Sequence, residues 1–192
     1  NVINLLFPII IDDLRHTPHL RDRSIYLAVR LLDSKNILAP KHAIIEVPVG
    51  ILNRFYQLPS NENGNFIICL EDIIKLNLSR IFQQFDYDTY ESYIIKITRD
   101  AEFTLDTDDR DYTVSLLDKI QKSIKQRSRG VPTRFVYDAA MPKQMLDLFA
   151  KKLELKNVNM VAGGMYHNFK DFMDFPKVGS EEDYYETLPV LG

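Results

Sequence analysis

The residues whose types and spacing can do chemistry are charged and lie in the middle of the chain. Residues 94–102 read Ile-Ile-Lys-Ile-Thr-Arg-Asp-Ala-Glu, a strand pattern that runs into adjacent opposite charges. Successive strand side chains point to opposite faces, so Arg99 and Asp100 cannot pair with each other while the strand continues. Arg99 can grip a phosphate bidentately, or it can close a salt bridge to another acid at the strand end. The acidic segment Asp100, Glu102, Asp106, Asp108, Asp109 and Asp111 offers oxygen ligands for a divalent cation. It lacks the turn glycine and closing glutamate of a calcium loop, so it reads as a solvated loop entering a helix, with Asp111 as the cap. Residues 119–134 hold Lys119, Lys122, Lys125, Arg127, Arg129 and Arg134 and no acid. On a helix, 119, 122, 125 or 126 and 129 form one stripe opposite Leu117, Ile120 and Ile124. Such a stripe either tracks a phosphate chain by counterion release or is a solvated face that complements the helix C-terminal dipole. Aromatic residues for base stacking are not interleaved with it, which disfavours single-stranded nucleic acid.

No catalytic or metal-binding residue emerges from the remaining motifs. His16 and His19 have His-x-x-His spacing, but Pro18 intervenes and no helical glutamate or third ligand accompanies them, so zinc is disfavoured. Neither they nor His42 and His167 stand beside an activating acid or among cationic phosphate clamps. Gly163-Gly164 lacks the following lysine and hydroxyl residue of a phosphate-cradling loop.

The elements that must position these residues can be read from periodicity. Residues 24–32 and 43–47 are strand-like, the second run ended by Pro48 and Gly50. Residues 55–58 and 66–70 flank Pro59-Ser60-Asn61-Glu62-Asn63-Gly64-Asn65, which predicts a hairpin. From Glu71 the period changes, and Ile74, Leu78, Ile81 and Phe85 predict one amphipathic helix. Residues 93–98 return to strand. Val114, Leu117, Ile120 and Ile124 mark a second helix ending near Gly130, and residues 133–137 the next strand. Pro142 suits the start of a third helix whose Met145, Leu146, Phe149 and Leu153 face a core, before a short strand at 157–161. A run of strands followed by alternating strands and helices predicts an α+β fold, a largely antiparallel sheet with amphipathic helices packed on one face. Residues 1–163 read as one domain. Residues 164–192, with a brief aromatic helix and then Pro176, Gly179 and Glu181-Glu182-Asp183, read as an extension or linker.

Composition sets the class. The chain has 192 residues, 45% hydrophobic and 27% charged, with a net charge of −3, which suits a globular domain with no global drive toward polyanions. The single cysteine, Cys69, excludes an intrachain disulfide and suits a reducing, cytoplasmic setting. No apolar run approaches the roughly 18 residues of a spanning helix. The chain opens at Asn1 already in a core-like pattern, as an excised piece would.

Several segments, in order, resemble the middle domain of the bacterial polyphosphate kinases. They are Phe7-Pro8 with an apolar run and Asp12, residues 24–29, Arg54-Phe55-Tyr56-Gln57-Leu58-Pro59 before residues 66–70, and Glu71-Asp72-Ile73-Ile74. Thr98-Arg99-Asp100-Ala101-Glu102 is the sharpest match; Arg129-Gly130, Arg134-Phe135, Met141-Pro142, His167-Asn168-Phe169 and Asp171-Phe172-Met173 follow. Asp22-Arg23-Ser24 departs from the family's Asn-Leu-Ser.

The resemblance implies a parent that transfers the terminal phosphate of ATP to polyphosphate through a phosphohistidine, with magnesium, in the cytoplasm or peripherally at a membrane. The family's catalytic histidine and phosphate-gripping arginines match nothing here. They are expected in domains after Gly192, and the adenine-contacting region before Asn1. The 192-residue piece is then expected to be inactive alone, without a cofactor, and to position flanking domains and build a homodimer. Candidate interface residues are Tyr166, Phe169, Phe172 and Phe175, with Tyr93 and Phe103 as further aromatics that core packing also explains. Candidate polyanion contacts are Arg99, Lys119, Lys122, Lys125, Arg129 and Arg134. The alternative is a stand-alone polyanion-binding or protein-interaction module using residues 119–134.

Overall fold

A computed structural model describes residues 2–13, 17–62, 64–99, 132–155, 159–179 and 182. Among these residues six strands form a mixed sheet: β1 (Ile9–Ile10), β2 (Ile25–Leu32), β3 (Lys41–Glu46), β6 (Thr89–Arg99), β7 (Pro132–Asp138) and β8 (Asn159–Gly163), in the order β1-β3-β2-β6-β7-β8. All neighbours are antiparallel except β7 and β8, whose parallel pairing needs a crossover. Helix α3 (Lys143–Lys152) supplies it. β4 (Phe55–Asn61) and β5 (Gly64–Cys69) form a separate hairpin. Its turn falls in the predicted polar cluster, where Gly64 takes φ 124° at no Cβ cost. Chain from the hairpin enters α1 (Leu70–Leu76) directly.

The α+β class and the largely antiparallel sheet are as the sequence indicates. The helices, however, divide between the two faces. Leu70 and Ile74 of α1 and Leu78 of α2 (Leu78–Ile81) join Ile25, Leu27, Val29 and Ile94 on one side. Met145, Phe149 and Leu153 join Tyr26, Ala28, Ile95, Ile97 and Phe135 on the other. The physical reason lies in β2, which is buried at five consecutive positions from Ile25 to Val29. A strand apolar on both faces must be covered on both, each fully buried side chain contributing about 1.5–3 kcal/mol.

The single helix expected from Glu71 breaks at Asn77, whose side-chain amide donates to the Ile73 carbonyl at 2.8 Å. An asparagine that bonds nearby backbone competes with helix propagation, and the chain turns so that Phe82 enters the core. The helix expected over residues 114–124 lies outside the described residues.

Candidate functional site

Charged side chains converge where the hairpin, α1, β6 and the C-terminal segment meet. The last strand residue, Gly163, is followed by an irregular stretch and a short 3-10 helix, Phe169–Asp174. Arg54, just before β4, is 5% exposed and Glu71, in the first turn of α1, is 0% exposed. Arg54 Nη2 donates to Glu71 Oε1 at 2.6 Å and Nε to the same oxygen at 3.1 Å. The other side of the guanidinium faces the C-terminal segment: Nη1 donates to the Asn168 carbonyl at 3.2 Å and to Asp171 Oδ2 at 3.1 Å. Burial alone would lower the Arg54 pKa, but its bonds to Glu71 and the charges of Glu71 and Asp171 hold it above the ordinary value.

Asn168 makes this junction by adopting a left-handed backbone, φ 71°, which asparagine tolerates better than most residues. Its amide nitrogen caps the Asp171 carboxylate at 2.8 Å, and its Oδ1 accepts from Lys96 Nζ of β6 at 2.6 Å. Two cations, Arg54 and Lys96, thus sit with two carboxylates, Glu71 and Asp171. Tyr166 donates to Asp72 Oδ2 at 2.8 Å, and burial with this bond raises its hydroxyl pKa. Phe172 and Phe175 pack on Phe55, ring centroids 5.1 and 5.0 Å apart.

His167, in the same segment, is buried at 7% exposed, and its Nε2 has no hydrogen-bond partner among the described residues. It lies so close to β8 that a Cβ on Gly163 would stand 2.7 Å from its Cε1, which accounts for glycine there. Burial holds its pKa below the ordinary 6.5; Lys96 and Arg54 push the same way, while Asp138 and a bond to the Ile94 backbone oppose. The folded domain therefore binds this proton less readily than the unfolded chain. The resulting stability is full above the ordinary histidine range and is lost as pH falls through the lower folded value. Urea unfolding is expected to show stability falling from roughly pH 7 to 5, with a shallower slope in His167→Gln; an unaltered slope in the variant contradicts this assignment.

The sequence candidates fare unevenly. Arg99 ends β6, where its backbone N–H donates to Asp22 Oδ1 at 2.8 Å and its Nε to the Leu20 carbonyl at 3.4 Å. Arg134 is exposed on β7 opposite Thr98, so the two arginines reach the same end of one strand pair. Lys119, Lys122, Lys125 and Arg129, the acidic segment from Asp100 to Asp111, His16 and Phe103 lie outside the described residues. Tyr93 is half-buried against the core. Tyr166, Phe172 and Phe175 are 41%, 44% and 40% exposed, whereas Phe169 at 81% and the unanticipated Met173 at 90% face outward.

His42, read from the sequence as having no activating acid beside it, is in β3, with its backbone N–H and its Nδ1 both on the carboxylate of Asp12, the latter at 3.0 Å. Cys69 is half-buried, its thiol pKa pushed up to about 11 by burial and then by Glu71 and Asp72, so it is no nucleophile near neutrality. A surface cavity of ≈ 470 Å³ is lined by Phe7, Ile9, Tyr26 and Ile51 among others, and its Arg21 is salt-bridged to Glu46 at 3.6 Å. Among the described residues no three His, Cys, Asp or Glu side chains are grouped to hold a metal, and no helix is long and apolar enough to cross a membrane.

Sequence reasoning noted Arg54, Glu71 and Asp171 only as parts of matching segments. An arginine at the mouth of an apolar hairpin and a glutamate one residue into a buried helix were signals that each needed a buried partner.

Fold and site together define an α+β domain in which a four-charge junction fastens its C-terminal segment to the sheet. The chain belongs to the polyphosphate kinase middle-domain family, whose model matches residues 1–175. It is 39% identical over 183 residues to the polyphosphate kinase of Vibrio cholerae, covering 93% of this chain and 25% of that protein. With the Escherichia coli polyphosphate kinase it shares 36% identity over 189 residues, 96% of this chain and 27% of the relative. The crystal structure of polyphosphate kinase from Porphyromonas gingivalis matches with a TM-score of 0.68 at 28% identity, covering 92% of this chain and 24% of that one. The chain spans about a quarter of the length of the curated relatives it matches.

Proposed function

We propose that this chain is a non-catalytic middle domain that positions the other parts of a polyphosphate kinase and helps build its dimer. The parent would transfer the terminal phosphate of ATP, with magnesium, to a polyphosphate chain through a phosphohistidine carried on another domain, in the cytoplasm. The observation that carries this reading is how the charges are used. Arg54 is ion-paired with Glu71 and Asp171 across separate segments of the same domain, and Lys96 bonds Asn168 beside them, so these charges are engaged in holding the domain together. His167, in the same segment, is 7% exposed, so a phosphoryl group on its ring would have to be desolvated, which disfavours it as a phosphoryl carrier.

The division at Gly164 belongs to this proposal: residues 1–163 are the body and 164–192 lead toward further domains. Tyr166, Phe169, Phe172 and Phe175 are its contact residues, because partly exposed aromatics bury much area at low entropic cost. Arg99 and Arg134, with Lys119, Lys122, Lys125 and Arg129, are its polyanion contacts.

The purified 192-residue chain, incubated with γ-labelled ATP and magnesium, is expected to yield neither polyphosphate nor acid-labile phosphohistidine, while a polyphosphate kinase containing it yields both. Turnover by the isolated chain refutes the proposal.

A further inference from the structure

We infer that residues 166–175 form a strap that opens as a unit while the sheet beneath stays folded, with Arg54 as its latch. The inference comes from how the Arg54 donors are divided. Nε and Nη2 serve Glu71, and both residues belong to the hairpin and helix of the body. Nη1 alone serves the strap, through the Asn168 carbonyl and Asp171. Removal of the strap therefore leaves the deeply buried Glu71 still paired. The carboxylate that departs is Asp171, whose side chain is already 16% exposed and enters water. Opening thus avoids the heavy penalty of a lone buried charge.

The backbone makes the same division. Among the described residues, the backbone-to-backbone hydrogen bonds of 165–175 are internal, from Asp171 to Asn168 and from Phe175 to Phe172. The strap is held to the body by side chains instead: Lys96 on Asn168, Tyr166 on Asp72, the His167 ring, and Phe172 and Phe175 on Phe55. No residue of its 3-10 helix is buried. Segments with few buried apolar contacts and no ladder to the core open at lower free energy than the sheet they cover.

Opening would uncover Phe55 and His167, and would change where residues beyond 175 lie relative to the sheet. A hinge between this domain and a following one rests on the middle-domain reading; the separability of the strap does not.

Hydrogen exchange on the 192-residue chain tests it, comparing wild type with Asp171→Asn, which keeps the shape and removes the charge. Amides of 166–175 are expected to exchange roughly tenfold faster in the variant, with those of β2 and β3 unchanged. Equal acceleration of strap and strands would show one cooperative unit and overturn the inference, as would an unaffected strap. Glu71→Gln serves as the contrast, since it weakens the body half of the latch and is expected to accelerate strap and strands alike; acceleration confined to the strap would also overturn it. Polyphosphate synthesis by the isolated chain would sink the middle-domain reading and leave the exchange result standing, so the two failures are distinguishable.

Discussion

Arg54→Ala is expected to cost the domain about 3–5 kcal/mol, measured by urea denaturation at neutral pH. The magnitude follows from what the substitution leaves behind. Glu71 is fully buried and receives its short charge-assisted bonds from the guanidinium, so without Arg54 its carboxylate must remain unpaired, take up a proton, or drag α1 toward solvent. Asp171 and the Asn168 carbonyl lose their donor at the same time. Against a total stability of about 5–15 kcal/mol, this loss is large enough to leave a sizeable unfolded population. Replacing both partners by apolar residues, Arg54→Met with Glu71→Leu, is expected to recover most of the loss, because desolvation of two charges then no longer opposes folding. A single-variant cost below about 1 kcal/mol would mean that the pair is solvated, and the junction would have to be redrawn.

Phe149→Ala ranks beside it, with an expected cost of about 3–5 kcal/mol from lost transfer energy plus the cavity. Phe149 is fully buried on the inward side of α3 and meets His42 edge-on, ring centroids 6.3 Å apart. This helix covers its sheet face through few large side chains, chiefly Met145, Phe149 and Leu153, so neighbours cannot easily close the gap. Phe149→Leu, which keeps most of the apolar volume, is expected to cost clearly less. Equal losses would assign the effect to ring-specific contacts such as that with His42 instead of to volume.

Much of this architecture was legible in the residues themselves. Period-two and unbroken apolar runs marked β2, β3, β6 and β7, because alternation and burial are local properties of a strand. Pro59 to Asn65 marked the turn of the hairpin, and Met145, Leu146, Phe149 and Leu153 marked α3, because turn chemistry and helical spacing are set within a few residues. The match of ordered segments such as Arg54-Phe55-Tyr56-Gln57-Leu58-Pro59 and Thr98-Arg99-Asp100-Ala101-Glu102 also identified the family that the comparisons establish.

The break at Asn77 was less visible, since a side chain that bonds the preceding turn competes with propagation by a margin that periodicity does not register. Placement of helices on both faces followed from β2 being buried on each side, yet which helix took which face depended on strand order.

Sequence alone, then, determined β2, β3, β6 and β7, the hairpin, the inward face of α3 and the kinship with polyphosphate kinase middle domains. Only the tertiary structure brought Arg54 to Glu71 and to Asp171, 117 residues further along the chain. It also set Asn168 in its left-handed turn and buried His167 against Gly163. Local patterns report what each segment must hide from water; the partner of a buried charge is chosen by whichever distant segment the fold brings within about 3 Å, and no local rule encodes that meeting.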